Sequence, residues 1–109
     1  MDFNEYQKES RKTAKYPKIG KNFVYPTLGV VGEAGEVAEK VKKVFRDDNK
    51  KLTKKRKEEI IKELGDLLWY VAQIATELDV TFESIAKDNL KKLKSRLKRG
   101  KIKGDGDNR

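Results

Sequence analysis

The chain has 109 residues, enough for one domain with a single core if its helices pack in two layers, and too few for a second. It contains no cysteine and no histidine, which excludes thiol chemistry, Cys/His zinc sites and Ser-His-Asp catalysis; any catalysis here runs on carboxylates, lysines and a metal ion. Lys and Arg exceed Asp and Glu by 27 to 18, a net charge of +9, and the mean hydropathy is −0.88.

The charge favours polyanionic partners, nucleotide phosphates or nucleic acid, and the plain alternative is a solvated lysine-rich surface. Aromatic residues, 8% of the chain, are not interleaved with the cations as a stacking platform requires, so nucleic acid is the less favoured partner. Met1 to Tyr6 lacks an apolar leader segment and no run reaches the ~18 apolar residues of a membrane span, so a soluble cytoplasmic protein without membrane contact is expected.

Asp2 is a good N-cap for a first helix to about Thr13, with Phe3, Tyr6 and Gln7 on one side. Tyr16 to Gly20 breaks it, Asn22 to Pro26 reads as extended, and Pro26 suits the first turn of a second helix that runs to about Phe45. In that helix Val30, Ala34, Val37, Val41 and Val44 form one stripe. Gly29, Gly32 and Gly35 fall off the stripe, and each costs up to ~1 kcal/mol relative to Ala, so close approach of another helix is the expected reason for them. After the polar loop Arg46 to Lys51, Thr53 caps a third helix, Lys54 to about Leu78, with the stripe Ile60, Leu64, Leu67, Val71, Ile74 and Leu78.

The third helix is apolar on a further side, where Gly65, Trp69, Ala72 and Thr76 lie. A helix apolar nearly all round is usually buried nearly all round, so this face predicts an oligomer, a symmetric dimer by default and a tetramer as the larger option. Asp79-Val80 turns the chain, Thr81 caps the fourth helix, and Gly100 ends it. Its stripe is Phe82, Ile85, Ala86, Leu90, Leu93 and Leu97, with Asn89 inside it and therefore expected to be buried and hydrogen-bonded. Lys92 and Arg96 follow on the same side. One amide and two cations in a row suit a phosphate or a carboxylate cluster; alternatively the amide bonds a backbone carbonyl and the cations are solvated. The expected fold is all-α, an antiparallel bundle of about four helices completed by oligomerisation, with a domain over 1–100 and a tail over 101–109 that holds no core-forming residue beyond Ile102.

One pattern occurs twice, Glu33-Ala34-Gly35-Glu36-Val37 and Glu63-Leu64-Gly65-Asp66-Leu67. Acids three apart on a helix lie about 60° apart around the axis and point to one side. Both pairs sit beside the apolar stripes, so packing of the stripes brings Glu33, Glu36, Glu63 and Asp66 face to face at the edge of a dry core. Four ionised carboxylates there repel unless a cation compensates them, and a hard divalent ion such as Mg²⁺ or Mn²⁺ is the natural one. Solvated pairs on two helix faces are the bland alternative.

With this ordered set the sequence resembles the MazG-like nucleoside triphosphate pyrophosphohydrolases of the all-α NTP pyrophosphatase superfamily. The family's Glu-x-x-Glu is matched at Glu33 and Glu36, its Glu-x-x-Asp at Glu63 and Asp66, and its later Asn with basic residues at Asn89, Lys92 and Arg96. The Gly-Asp-Gly-Asp-Asn-Arg ending looks like that of some small members. The resemblance implies Mg²⁺-dependent hydrolysis of an NTP or dNTP to the monophosphate and pyrophosphate. It implies the four acids as metal ligands and catalytic groups, and Asn89, Lys92 and Arg96 as phosphate contacts. Trp69 or Tyr70 would stack on the base or else pack at a helix interface. The competing class is a non-catalytic basic helical module that binds nucleic acid or a partner protein.

Overall fold

In a computed structural model that describes residues 1–109, the chain is all-helical: α1 spans Phe3–Arg11, α2 Val24–Asp47, α3 Lys54–Glu77 and α4 Phe82–Lys98. Three helix starts follow from side-chain caps. Asp2, Thr53 and Thr81 accept from the amides of Glu5, Arg56 and Ser84 at 2.8, 3.2 and 3.1 Å, each satisfying an orphan donor of a first turn. α2 begins at Val24, within the stretch expected to be extended. There Asn22 Oδ1 accepts from Tyr25 N at 3.0 Å, so the turn closes ahead of Pro26, whose lack of an N–H is harmless in a first turn. α1 stops at Arg11, short of Thr13, and α2 continues past Phe45 to Asp47.

α2 and α3 form a long antiparallel hairpin. Next to its connection Arg56 bonds Asp48 at 2.8 Å and Glu59 at 3.1 Å, and towards its far end the Tyr70 ring lies over Gly29. A Cβ at Gly29 would overlap that ring. Gly32, Gly35 and Gly65 instead face open space, so the expected close helix approach is found at Gly29 alone.

α1 packs on the further face of α3 and changes the meaning of that face. Trp69 Nε1 donates to Ser10 O at 3.2 Å and Thr13 Oγ1 at 2.9 Å, and Gln7 Nε2 donates to Thr76 Oγ1 at 3.1 Å. Ala72 and Ala75 are fully buried. Gln73 is fully buried too, donating to Ser10 Oγ at 2.9 Å and accepting from Arg11 Nη1 at 3.2 Å, so its amide is satisfied. The surface from Trp69 to Thr76, expected to meet another subunit, is covered by α1 of the same chain. Periodicity marks a face as apolar; it does not say which element covers it. Trp69→Phe, which removes the indole N–H and leaves Ser10 O and Thr13 Oγ1 short of a donor, should lower stability by about 1–2 kcal/mol in a thermal melt and leave the oligomeric state by light scattering unchanged.

α4 is anchored by its first residue. Phe82 is buried, stacked on Phe3 at 4.8 Å and edge-on to Tyr6 at 6.3 Å. Beyond that anchor α4 touches α1 and α3 but not α2, and Ile85, Leu90, Leu93 and Leu97 remain exposed. Asn89, expected inside a buried stripe, is exposed, because nothing in this chain covers that stripe. Only nine of 109 residues are buried. The accessible surface is 8335 Å², against about 6,200 Å² for a compact chain of this mass, and the radius of gyration is 16.9 Å, against about 13 Å. One chain is thus an open arrangement of helices with apolar surface left on α3 and α4. No helix is long and apolar enough to cross a membrane.

Candidate active site

The α2–α3 hairpin brings three of the four predicted acids together. Carboxylate oxygens of Glu33 on α2 and of Glu63 and Asp66 on α3 lie within 4.8 Å of one another. Glu33 and Glu63 are half-buried and Asp66 is exposed. Glu36 is exposed and stands outside the group, although its charge is felt at Glu33. The Glu33 carboxyl is pushed above its ordinary range, first by burial and then by the negative charges of Asp66, Glu63 and Glu36.

The chain's other acids throw this into relief. Glu9, Glu39, Asp47 and Glu59 are each paired with a Lys or Arg, whose hydrogen bond holds the carboxyl below its usual range. Although the chain carries 27 cationic side chains, none forms an ion pair with Glu33, Glu36, Glu63 or Asp66. A strongly basic protein has left one acidic cluster uncompensated. An all-oxygen donor set at this spacing, with mutual repulsion and no internal counter-charge, matches what a hard divalent cation takes.

Two phenols flank the acids. Tyr70 lies one turn beyond Asp66, over Gly29, which is itself one turn before Glu33; burial first, then Tyr25, Glu33 and Asp66, raises its pKa. Tyr6 on α1 is raised by burial and by Asp66. The position of Tyr70 could be read from its i+4 spacing to Asp66, whereas Tyr6 arrives through the packing of α1 and leaves no local signal. Trp69 is edge-on to Tyr70 at 5.0 Å, but its N–H is committed to α1, and the structure does not bring it to the acids.

The α4 residues lie apart from the cluster. Asn89 is exposed, and Lys92 Nζ donates to Asp107 Oδ1 at 2.9 Å. Arg96 is buried by the tail: its Nη2 bonds the Asp107 carbonyl and reaches Asp107 Oδ1 at 3.1 Å. The tail is folded back by Arg109, which donates to the carbonyls of Lys101, Ile102 and Gly106 at 3.0, 2.8 and 2.7 Å. Of the two cations singled out on α4, Arg96 is a tail anchor and Lys92 is the accessible one. The pair does meet a carboxylate, that of Asp107.

The family model of the MazG nucleotide pyrophosphohydrolase domain matches residues 26–100, a span that holds all four acids and Asn89, Lys92 and Arg96. The chain belongs to this family. Family membership supports a hydrolase of the nucleotide pyrophosphohydrolase type and agrees with the all-helical fold. The chain is also 46% identical to the Gene 37 protein of Mycobacterium phage L5, over an alignment that covers 100% of each. No solved structure matches it. The MazG domain begins at Pro26, after α1, so the helix that supplies Tyr6 and covers Trp69 lies outside the matched span.

Proposed function

We propose that the protein is a Mg²⁺-dependent hydrolase that cuts a nucleoside or deoxynucleoside triphosphate at the α–β bond, giving the monophosphate and pyrophosphate, and that it works as a homo-oligomer. The observation that carries this reading is the group of Glu33, Glu63 and Asp66 oxygens within 4.8 Å, without a counter-cation, inside a MazG domain. These three carboxylates would hold the cation, with Mn²⁺ a possible substitute. The cation supplies positive charge against the phosphate oxygens and makes water a stronger acid.

The chain's own groups account for the rest. With no histidine present, a carboxylate is the base available at neutral pH, and Glu36, exposed and outside the three-acid group, is the one free to take the proton of the attacking water. Water oxygen joins phosphorus as the α–β anhydride bond breaks, and pyrophosphate leaves. Asn89 and Lys92 contact the phosphates. The pair between Lys92 and Asp107 is a surface contact, weak enough to be exchanged for a phosphate oxygen. The open α3 and α4 faces and the excess surface support assembly.

The purified protein with Mg²⁺ and a panel of NTPs and dNTPs should release pyrophosphate from at least one of them. A protein that releases none from any of them, yet retards nucleic acid in a salt-dependent way, is the basic binding module instead.

A further inference from the structure

The tail lies on the α4 cations. Asp107 Oδ1 accepts from Lys92 Nζ at 2.9 Å and from Arg96 Nη2 at 3.1 Å, and these bonds, that of Lys92 first, hold its carboxyl below the usual carboxylate range. A carboxylate oxygen shared by two cations four residues apart on a helix stands in for a phosphate oxygen, since both anions take the same charge-assisted hydrogen bonds. Arg96 is the more telling of the pair. Its side chain is 7% exposed, yet Nη2 alone forms hydrogen bonds, to the carbonyl and the carboxylate of Asp107, and Nε and Nη1 form none. A guanidinium is a fork of five donors, and one aspartate met through a single nitrogen uses less of it than the oxygens of a terminal phosphate would. We infer that the tail is a built-in competitor: Asp107 occupies Lys92 and Arg96 in the resting chain, and an incoming polyphosphate displaces it.

The tail is held well enough to compete and too weakly to block. From Lys103 to Asn108 every residue is exposed and none has an apolar side chain, so no hydrophobic burial fixes the segment, which places it at the low-stability end of the fold. Its shape comes from Gly104 and Gly106, at φ 143° and 82°, and it is fastened by Arg109, whose three hydrogen bonds go to backbone carbonyls. The tether supplies the rest. Asp107 stands 11 residues from Arg96, and a short flexible linker gives an effective concentration of roughly millimolar order, so the carboxylate competes without strong contacts. An exposed ion pair multiplies an equilibrium by only about two- to fivefold, and a ligand that brings several phosphate oxygens outweighs it. Displacement leaves Asn89, Lys92 and Arg96, which follow one another along one side of α4, open to that ligand. Its identity as a nucleoside triphosphate rests on the function proposed above; the competition does not.

Inorganic tripolyphosphate in metal-free buffer is the probe, with binding followed by calorimetry and by the amide NMR signals of Gly104 and Gly106. Asp107→Asn removes the competing charge and Arg109→Ala unfastens the tail, and both positions lie outside the helices. Each variant should bind tripolyphosphate about two- to fivefold more tightly than wild type, the weight of an exposed ion pair. One substitution raises the net charge and the other lowers it, so a general charge effect moves the two affinities apart, whereas release of the tail moves them together. In wild type, saturating tripolyphosphate should carry both glycine signals to the positions they hold in Arg109→Ala. In turnover, both variants should lower KM for the nucleotide by the same factor and leave kcat unchanged. Unchanged affinities, opposite shifts in the two variants, glycine signals that ignore the ligand, or no binding to any of the three proteins overturns the competition. Weaker binding by Asp107→Asn overturns it as well and makes Asp107 a residue that positions Lys92. If wild type releases no pyrophosphate while both variants bind tripolyphosphate more tightly, the proposed reaction fails and the competition stands.

Discussion

Glu33→Gln is expected to abolish Mg²⁺-dependent pyrophosphate release and, at the same time, to raise the melting temperature of the metal-free protein at neutral pH. The loss should reach at least ~100-fold, since even groups that merely orient metal ligands change affinity or activity 10- to 100-fold when removed. The gain in stability follows from the sign of the linkage. Glu33 has its folded-state pKa raised above the ordinary value of 4.5, so its protonated form suits the fold and its ionised form does not. Metal-free wild type should therefore lose stability as pH rises from the ordinary carboxylate range through the raised pKa, and the glutamine variant should not. Mg²⁺ inverts the comparison. Bound at 100 times its Kd it would stabilise wild type by about 2.7 kcal/mol and the variant by less. Glu36→Gln is the control: it should also be inactive, but with a much smaller effect on the metal-free melt, because Glu36 lies outside the three-acid group. A wild type whose melt ignores both pH across the carboxylate range and added Mg²⁺ would count against the metal centre.

What was legible in the sequence was local. Asp2, Thr53 and Thr81 cap their helices because a side-chain oxygen beside the first turn decides the matter alone. The meeting of Glu33 with Glu63 and Asp66 was legible because two apolar stripes fix how two long helices face each other, and acids beside the stripes are carried along. The partner of each remaining face was not legible. Trp69 and Gln73 lie where α1 happens to pack, and that choice among faces is made by the whole fold. Asn89 shows the converse: its stripe asks for cover and does not say in which chain the cover lies. The tail was legible only in part: the two α4 cations do meet a carboxylate, that of Asp107, whereas Arg109 folds the tail back through backbone carbonyls, which every sequence possesses.

The second large effect is expected at Glu77, far from the acids. Its side chain is wholly buried; Oε1 accepts from Tyr16 Oη and from Gly20 N, both at 2.9 Å, while Oε2 has no hydrogen bond and faces Arg11 Nη2 at 3.7 Å. Arg11 also donates to Tyr16 Oη and Gln73 Oε1, and the Tyr16 ring stacks on Tyr25 at 5.1 Å. This one carboxylate therefore ties the end of α1, the connection to α2 and the last turn of α3 together. Glu77→Ala should destabilise by about 3–5 kcal/mol, because it strands a largely buried guanidinium and takes the acceptor from the buried Tyr16 hydroxyl at once. At about 4–8 °C per kcal/mol for a domain of this size, the melting temperature should fall by more than ~10 °C. Replacing both partners with apolar groups, Arg11→Met with Glu77→Leu, should recover part of the loss and not all of it, because Tyr16 and Gln73 still lose the partners that Arg11 and Glu77 gave them. The acids themselves are held by the α2–α3 hairpin, so below the lowered melting temperature Glu77→Ala should keep its Mg²⁺-linked stabilisation. A Glu77→Ala protein that melts normally but no longer responds to Mg²⁺ would place Glu77 in the metal centre's support instead of in the brace between α1 and α3.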